Sequence, residues 1–178
     1  MLKKWIRIST EEKFSNPFWT YKLDLCKIPN GKTYEYHYVH TAGSVFIVPV
    51  SVEGKILMVN QFRYLIDKFS LEFPGGGLKD EETPIDIARK ELIEETGFDG
   101  TLKEIGYFVP YNGVSDEICY VFIATDLKPS TSETKDEQEE FELLLLTVEE
   151  LEEKIIKNDI SDGMTLASWM LARKYFHK

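Results

Sequence analysis

One stretch constrains the fold of this chain more than any other. After Gly76 come five residues and Glu82, seven more and Lys90-Glu91-Leu92, then Glu94-Glu95 and Gly97-Phe98, each after one intervening residue. Helix signals stand at both ends. Asp80 to Thr83 offer a short polar cap, Pro84 suits a first turn, and Gly97 sits where a left-handed stop is expected. In the resulting helix of about three turns, Ile85, Ala88 and Leu92 share one face. Glu91, Glu94 and Glu95 are related by i, i+3 and i+4 on the adjoining face, so three carboxylates project into one small volume. Like charges at that spacing cost roughly 0.2–0.5 kcal/mol per pair, and the helix dipole disfavours anions near a C-terminal end. One reading is a solvated acidic face, partly neutralised by Arg89 and Lys90. The other is a site for a hard cation, since clustered carboxylate oxygens suit magnesium or manganese.

Ahead of the helix stands Leu71-Glu72-Phe73-Pro74-Gly75-Gly76-Gly77, an apolar strand ending in glycines. Glycines alone often mark an ordinary tight turn. Directly before an acidic helix they also let bare backbone approach a metal and a diphosphate, and the combination favours the cation site. The whole spacing resembles the signature of the Nudix hydrolases, with Lys90 in place of the signature arginine. That resemblance implies an α/β fold of the Nudix type, an α/β/α sandwich with a mixed central sheet, here with an N-terminal β-hairpin extension. It implies hydrolysis of a diphosphate with Mg2+, Mn2+ being possible, and a metal site built from Glu91, Glu94 and Glu95 with the Gly75 carbonyl. Glu82 is expected to support the signature segment rather than touch metal. Lysine cannot reproduce the arginine's two-pronged hydrogen bonding, and Arg89 points about 100° away around the helix. A less rigid carboxylate cluster with activity retained is the expectation.

From about Phe18 to Phe176 the chain resembles one branch of the family, the ADP-ribose pyrophosphatase-like enzymes. Gln61-Phe62-Arg63 resembles the branch's Q-Y/F-R strand end, Leu71-Glu72-Phe73-Pro74 its L-E-x-P lead-in, and Gly113-Val114-Ser115-Asp116-Glu117 its G-x-S-x-E loop. Glu137-Gln138-Glu139 resembles its E-x-E loop, and residues 160–165 its closing segment. The likeness implies Glu137 as the base that activates water and Glu139 as a further metal ligand. It also implies Arg63, Glu72 and Glu117 as substrate contacts, with Phe18 and Tyr36 as loose matches to the aromatics that sandwich the base. Glu117, Glu139 and Glu140 compete with Glu137 for the role of base. The branch further implies a homodimer in which N-terminal strands swap to complete the partner's site.

The substrate expected first is ADP-ribose, cleaved to AMP and ribose 5-phosphate. Asn112 stands where the branch usually has proline, and His40 and Thr41 replace expected basic residues. These departures keep open GDP-mannose or another sugar nucleotide, as does the loose aromatic match. An alternative of another class is a ligand-binding module that kept the fold and lost hydrolysis; the intact box glutamates argue against it.

Composition bounds the rest. With 178 residues and 43% hydrophobic content, a single well-buried unit is expected, with 1–42 as an N-terminal strand extension and 43–178 as the catalytic part. A net charge of −10 opposes nonspecific nucleic-acid binding. No apolar run approaches the roughly 20 residues of a membrane span. The basic start Met1 to Arg7 lacks the apolar core of a signal peptide, and two cysteines, Cys26 and Cys119, are too few for a disulfide framework, so a cytoplasmic protein is expected. Strand-like runs cover 18–28 and 33–40 around Pro29-Asn30-Gly31, then 44–52 and 55–64 as paired central strands, 102–108, 118–125 and 141–147. Helices are expected over 148–157 and about 162–176, with a polar loop over 129–140.

Overall fold

The structure, a computed structural model, describes residues 2–79, 81–131 and 140–176. It divides into two compact units, Met1–Ala42 with Val109–Ile118, and Gly43–Phe108 with Cys119–Lys178.

The first unit is an antiparallel sheet of β1 (Ile6–Ser15), β2 (Thr20–Lys27) and β3 (Thr33–His40) in that order. The β2–β3 hairpin closes where expected, with Gly31 at φ 88° and its N–H donating to the Ile28 carbonyl at 2.9 Å. Segment Val109–Ile118 joins this unit through backbone bonds from Val39 to the Val114 carbonyl at 2.8 Å and from Asp116 to the Val39 carbonyl at 3.3 Å. Strand β1 has no counterpart among the sequence expectations, so the extension is three strands rather than a hairpin. Every residue of β1 is exposed, Glu11-Glu12-Lys13 interrupts its alternation, and its pairing with β2 shifts register twice. Nothing in such a segment displays the one-sided apolar pattern by which strands are read.

In the second unit β4 (Ser44–Pro49) and β5 (Ile56–Arg63) lie in different sheets, against the expectation that they pair. Hydrogen bonds between Ser51, Gly54 and Lys55 close the turn between them, but only a single bridge, Val50 to Ile56, links the two strands. Instead β5 sits between β10 (Glu142–Leu146) and β6 (Lys68–Glu72). A mixed sheet runs β7 (Gly75–Gly77), β4, β9 (Cys119–Pro129), β8 (Phe98–Phe108), with β4 and β9 parallel. Strand β4 is buried throughout, as its unbroken apolar run demands when both faces are covered.

Alternation along β4 and β9 sorts the core into two layers. Val45, Ile47, Phe122 and Ala124 face Ile87, Ala88 and Leu92 of α1 (Pro84–Thr96), while Phe46, Val48, Cys119 and Ile123 pack with Trp169 and Ala172 of α3 (Gly163–Ala172). Helices on both faces of a mixed sheet make the expected α/β/α sandwich. Helix α2 (Val148–Ile156) has a reciprocal cap between Thr147 and Glu150, and α3 passes into a 3-10 turn at Arg173–Tyr175. Both cysteines are buried. Among the described residues no helix is long and apolar enough to cross a membrane.

The glycines after Pro74 are not a loop. They form β7, paired antiparallel to β4 with Gly75 opposite Phe46, Gly76 opposite Val45 and Gly77 opposite Ser44. A Cβ on Gly75 would stand 2.3 Å from the Val45 carbonyl oxygen, inside hard contact. Gly75→Ala is therefore expected to lower stability by about 1–3 kcal/mol, the cost of overpacking. Urea unfolding measures it, and an unchanged midpoint would show that β7 does not lie this close to β4.

Candidate active site

Helix α1 is anchored at both ends. Thr83 caps it by accepting from the Asp86 amide at 3.4 Å, and Gly97, at φ 76°, donates to the Ile93 carbonyl at 2.8 Å. Its buried stripe is Ile87, Ala88 and Leu92, whereas Ile85, expected on that face, is 45% exposed. This rotation turns Glu91 and Glu95 toward β7. The Glu91 carboxylate lies against Gly76, so close that a Cβ there would be 2.5 Å from Oε1. Glu95 is 8% exposed and its Oε2 accepts from the Gly75 amide at 3.2 Å. Glu94 pairs with Lys90 Nζ at 3.5 Å. Glu82 accepts from the Lys79 amide at 3.2 Å and so ties the loop entering the helix. Arg89 takes no part in the cluster; it binds Asp99 and the Gly100 carbonyl.

A second group of side chains meets the cluster from the other sheet. Arg63 grips Glu72 with both prongs, Nε to Oε1 at 2.9 Å and Nη2 to Oε2 at 2.5 Å, and Glu72 is only 2% exposed. These hydrogen bonds raise the Arg63 pKa above its ordinary value; partial burial opposes them, and the charges of Glu72, Asp162 and Glu95 add to them. Asp162 caps α3 by accepting from the Thr165 amide at 2.7 Å, and the Thr165 hydroxyl accepts from the Phe73 amide at 3.2 Å. The mutual engagement of Arg63 and Glu72, and the part of Asp162 and Thr165 in holding the β6–β7 junction, escaped the sequence. The one available signal was the spacing Asp162-x-x-Thr165 at a helix start.

Beside Arg63 a cleft of about 600 Å3 is lined by Gln61, Phe62, Tyr64, Leu65, Glu140 and Phe141. Glu137 and Glu139 lie outside the described residues. In the first unit, Tyr36 donates to the Gly113 carbonyl at 3.4 Å and lines a cavity of about 320 Å3 with Arg7, Asp24, Tyr38, Asn112, Ser115 and Asp116. Glu117 is half-buried, with its amide on the Ser115 hydroxyl at 2.9 Å, and His40 Nδ1 meets Asp116 Oδ2 at 2.7 Å. Phe18 is 84% exposed near the start of β2 and is not among the residues lining that cavity.

Among the described residues no three acidic, histidine or cysteine side chains already surround a common point as a metal cage. The donor chemistry nonetheless fits a hard divalent cation. Carboxylates on α1 face a backbone strand whose missing Cβ at Gly76 leaves room for Glu91, and oxygen donors with space for water are what magnesium takes.

A NUDIX domain model matches residues 40–166. Over 161 residues the chain is 34% identical to a methanol dehydrogenase activator of Bacillus methanolicus, covering 89% of this chain and 87% of that protein. Over 160 residues it is 32% identical to an ADP-ribose pyrophosphatase of Bacillus subtilis strain 168, covering 89% and 86%. A solved ADP compounds hydrolase shares the fold at a TM-score of 0.85 and 20% identity, over 98% of this chain and 95% of that one.

The contact between Gly76 and Glu91 is directly testable. Gly76→Ala is expected to turn the Glu91 carboxylate aside and weaken Mn2+ binding by about tenfold, read from the paramagnetic resonance of free Mn2+. Equal affinity in the variant would remove Glu91 from the cation site.

Proposed function

Because this chain belongs to the Nudix hydrolase family, we propose that it hydrolyses the diphosphate bond of a nucleoside diphosphate sugar, with ADP-ribose as the leading substrate. The observation that carries this is the apposition of the Glu91 and Glu95 carboxylates to the backbone of Gly75 and Gly76. Glu91, Glu94, Glu95 and the Gly75 carbonyl, with Glu139, would hold Mg2+, for which Mn2+ can substitute. A bound divalent cation neutralises charge on the phosphoryl oxygens. Glu137 takes a proton from a water that attacks one phosphorus in line; the anhydride oxygen leaves with the other phosphate, giving AMP and ribose 5-phosphate. Glu140, which competes for the role of base, lines the cleft beside Arg63.

Base recognition we assign to the first unit, through Phe18 and Tyr36, with Glu117 as a further substrate contact. Strand β1 is exposed along its length, and Ile6, Ile8 and Phe14 present apolar side chains on it. That surface supports self-association of the N-terminal strands into a homodimer. One observation favours a second substrate: Asn112 puts an amide, able both to donate and to accept, on the wall of the first unit's cavity. GDP-mannose is the alternative on that ground.

ADP-ribose and GDP-mannose offered side by side with Mg2+, with Mn2+ and with chelator test the assignment by product release. Faster cleavage of ADP-ribose, abolished by chelator, is expected; preference for GDP-mannose would move the substrate, and no cation-dependent turnover of either would end the diphosphatase assignment. Glu137→Gln is expected to lower kcat by about 10²–10⁴-fold, while retained turnover would transfer the base to Glu139, Glu140 or Glu117.

A further inference from the structure

Lysine at position 90 leaves the acidic helix without the planar cation that could grip two oxygens at once. Its ammonium pairs with Glu94 at 3.5 Å. The other arginines of the second unit are engaged elsewhere, Arg89 with Asp99 and Arg173 with Glu152 at 3.3 Å. Arg63 grips Glu72 with both prongs, and the charges of Asp162 and Glu95 also act on it. These three carboxylates come from three elements, the end of β6, the last turn of α1 and the cap of α3.

We propose that Arg63 is the positioning residue of the carboxylate cluster, supplying from the end of β5 the guanidinium fork that Lys90 cannot supply from α1. The chain of contacts is short. Arg63 fixes both oxygens of Glu72 at the end of β6; three residues on, the Gly75 amide fixes Oε2 of Glu95 on α1. Locking Glu72 therefore sets the exit of β6, the height of β7 and the orientation of the buried glutamate. The fork also supplies the positive charge that a 2% exposed carboxylate requires, since a buried anion is retained only when paired and hydrogen-bonded. This role differs from contact with the substrate diphosphate, the part that the family resemblance suggests for Arg63. Nε and Nη2 each donate to Glu72, so the edge of the guanidinium that matches a carboxylate is taken, and Nη1 remains for any other acceptor.

The inference rests on the proposed cation site, and its test reads cation binding without turnover. Arg63→Lys keeps the charge and loses the fork. It is expected to weaken Mn2+ binding by about 10–100-fold, as loss of an outer partner of a metal ligand does, and to lower kcat with little change in KM for ADP-ribose. Unchanged Mn2+ affinity, with or without a raised KM, overturns the proposal and returns Arg63 to substrate binding. Glu72→Gln keeps the shape and is expected to weaken Mn2+ binding in the same direction, so it decides the matter if Arg63→Lys does not fold. Adding Lys90→Arg to Arg63→Lys is expected to recover part of the lost affinity, and no recovery would overturn the claim that the two positions substitute for one another. A wild-type chain that binds Mn2+ but leaves ADP-ribose intact counts against the substrate alone.

Discussion

The second unit is organised by the approach of a bare glycine strand to two surfaces at once. On one side β7 lies so close to β4 that no side chain fits between Gly75 and the Val45 carbonyl; on the other, Gly76 touches the Glu91 carboxylate. A Cβ at Gly75 would press on the backbone of β4, and one at Gly76 would displace the Glu91 carboxylate. Because α1 is also pinned through Ile87, Ala88 and Leu92 to the core side of β4, its rotation is determined, and its acidic face has one place to go. Burial of Ile87 and Leu92 is worth about 1.5–3 kcal/mol each, well above the few tenths per pair by which clustered glutamates disfavour the helix. Packing therefore imposes the crowding of charge, and the site exists because the core can bear it.

That crowding is relieved by distributing partners among elements. Glu94 has Lys90 one turn back, Glu95 has the Gly75 amide, and Glu72 has the Arg63 fork. A divalent cation would complete the compensation, drawing oxygens that at present face protein donors. The presence of these donors explains how an acidic cluster can persist when it does not yet form a cage. It also places a demand on the chain, since the donors must release or share oxygens when the cation arrives.

Much of this was legible in sequence because it depends on spacing. Thr83, Pro84 and Gly97 mark the ends of α1 by local backbone chemistry, and the i, i+3, i+4 relation of the three glutamates follows from helix geometry whatever surrounds it. What failed to show depends on partners distant in the chain. Which sheet β5 would join was decided by β10, more than eighty residues away, where Glu142 stands opposite Asn60. Strand β1 pairs with β2 without burying any of its residues, and Glu11-Glu12-Lys13 interrupts its apolar alternation. Ile85 was placed on the buried stripe because the helical period alone cannot fix which side of a three-residue window meets the core.

The fate of Arg63 follows the same logic with a chemical edge. By its resemblance to the branch's Q-Y/F-R strand end, Arg63 was expected to contact the substrate. In the structure the anion it grips is the chain's own Glu72, and its burial makes the pair hard to separate. Removing Arg63 would leave the buried Glu72 carboxylate uncompensated, at a cost below the roughly 3–5 kcal/mol of a fully buried pair because Arg63 is itself 46% exposed, although the intact pair adds little net stability over apolar residues. A pair with that balance contributes orientation rather than energy. Orientation is what a glutamate cluster lacking its usual arginine needs, and a guanidinium on a neighbouring strand provides it through the exit of β6 without touching α1 itself.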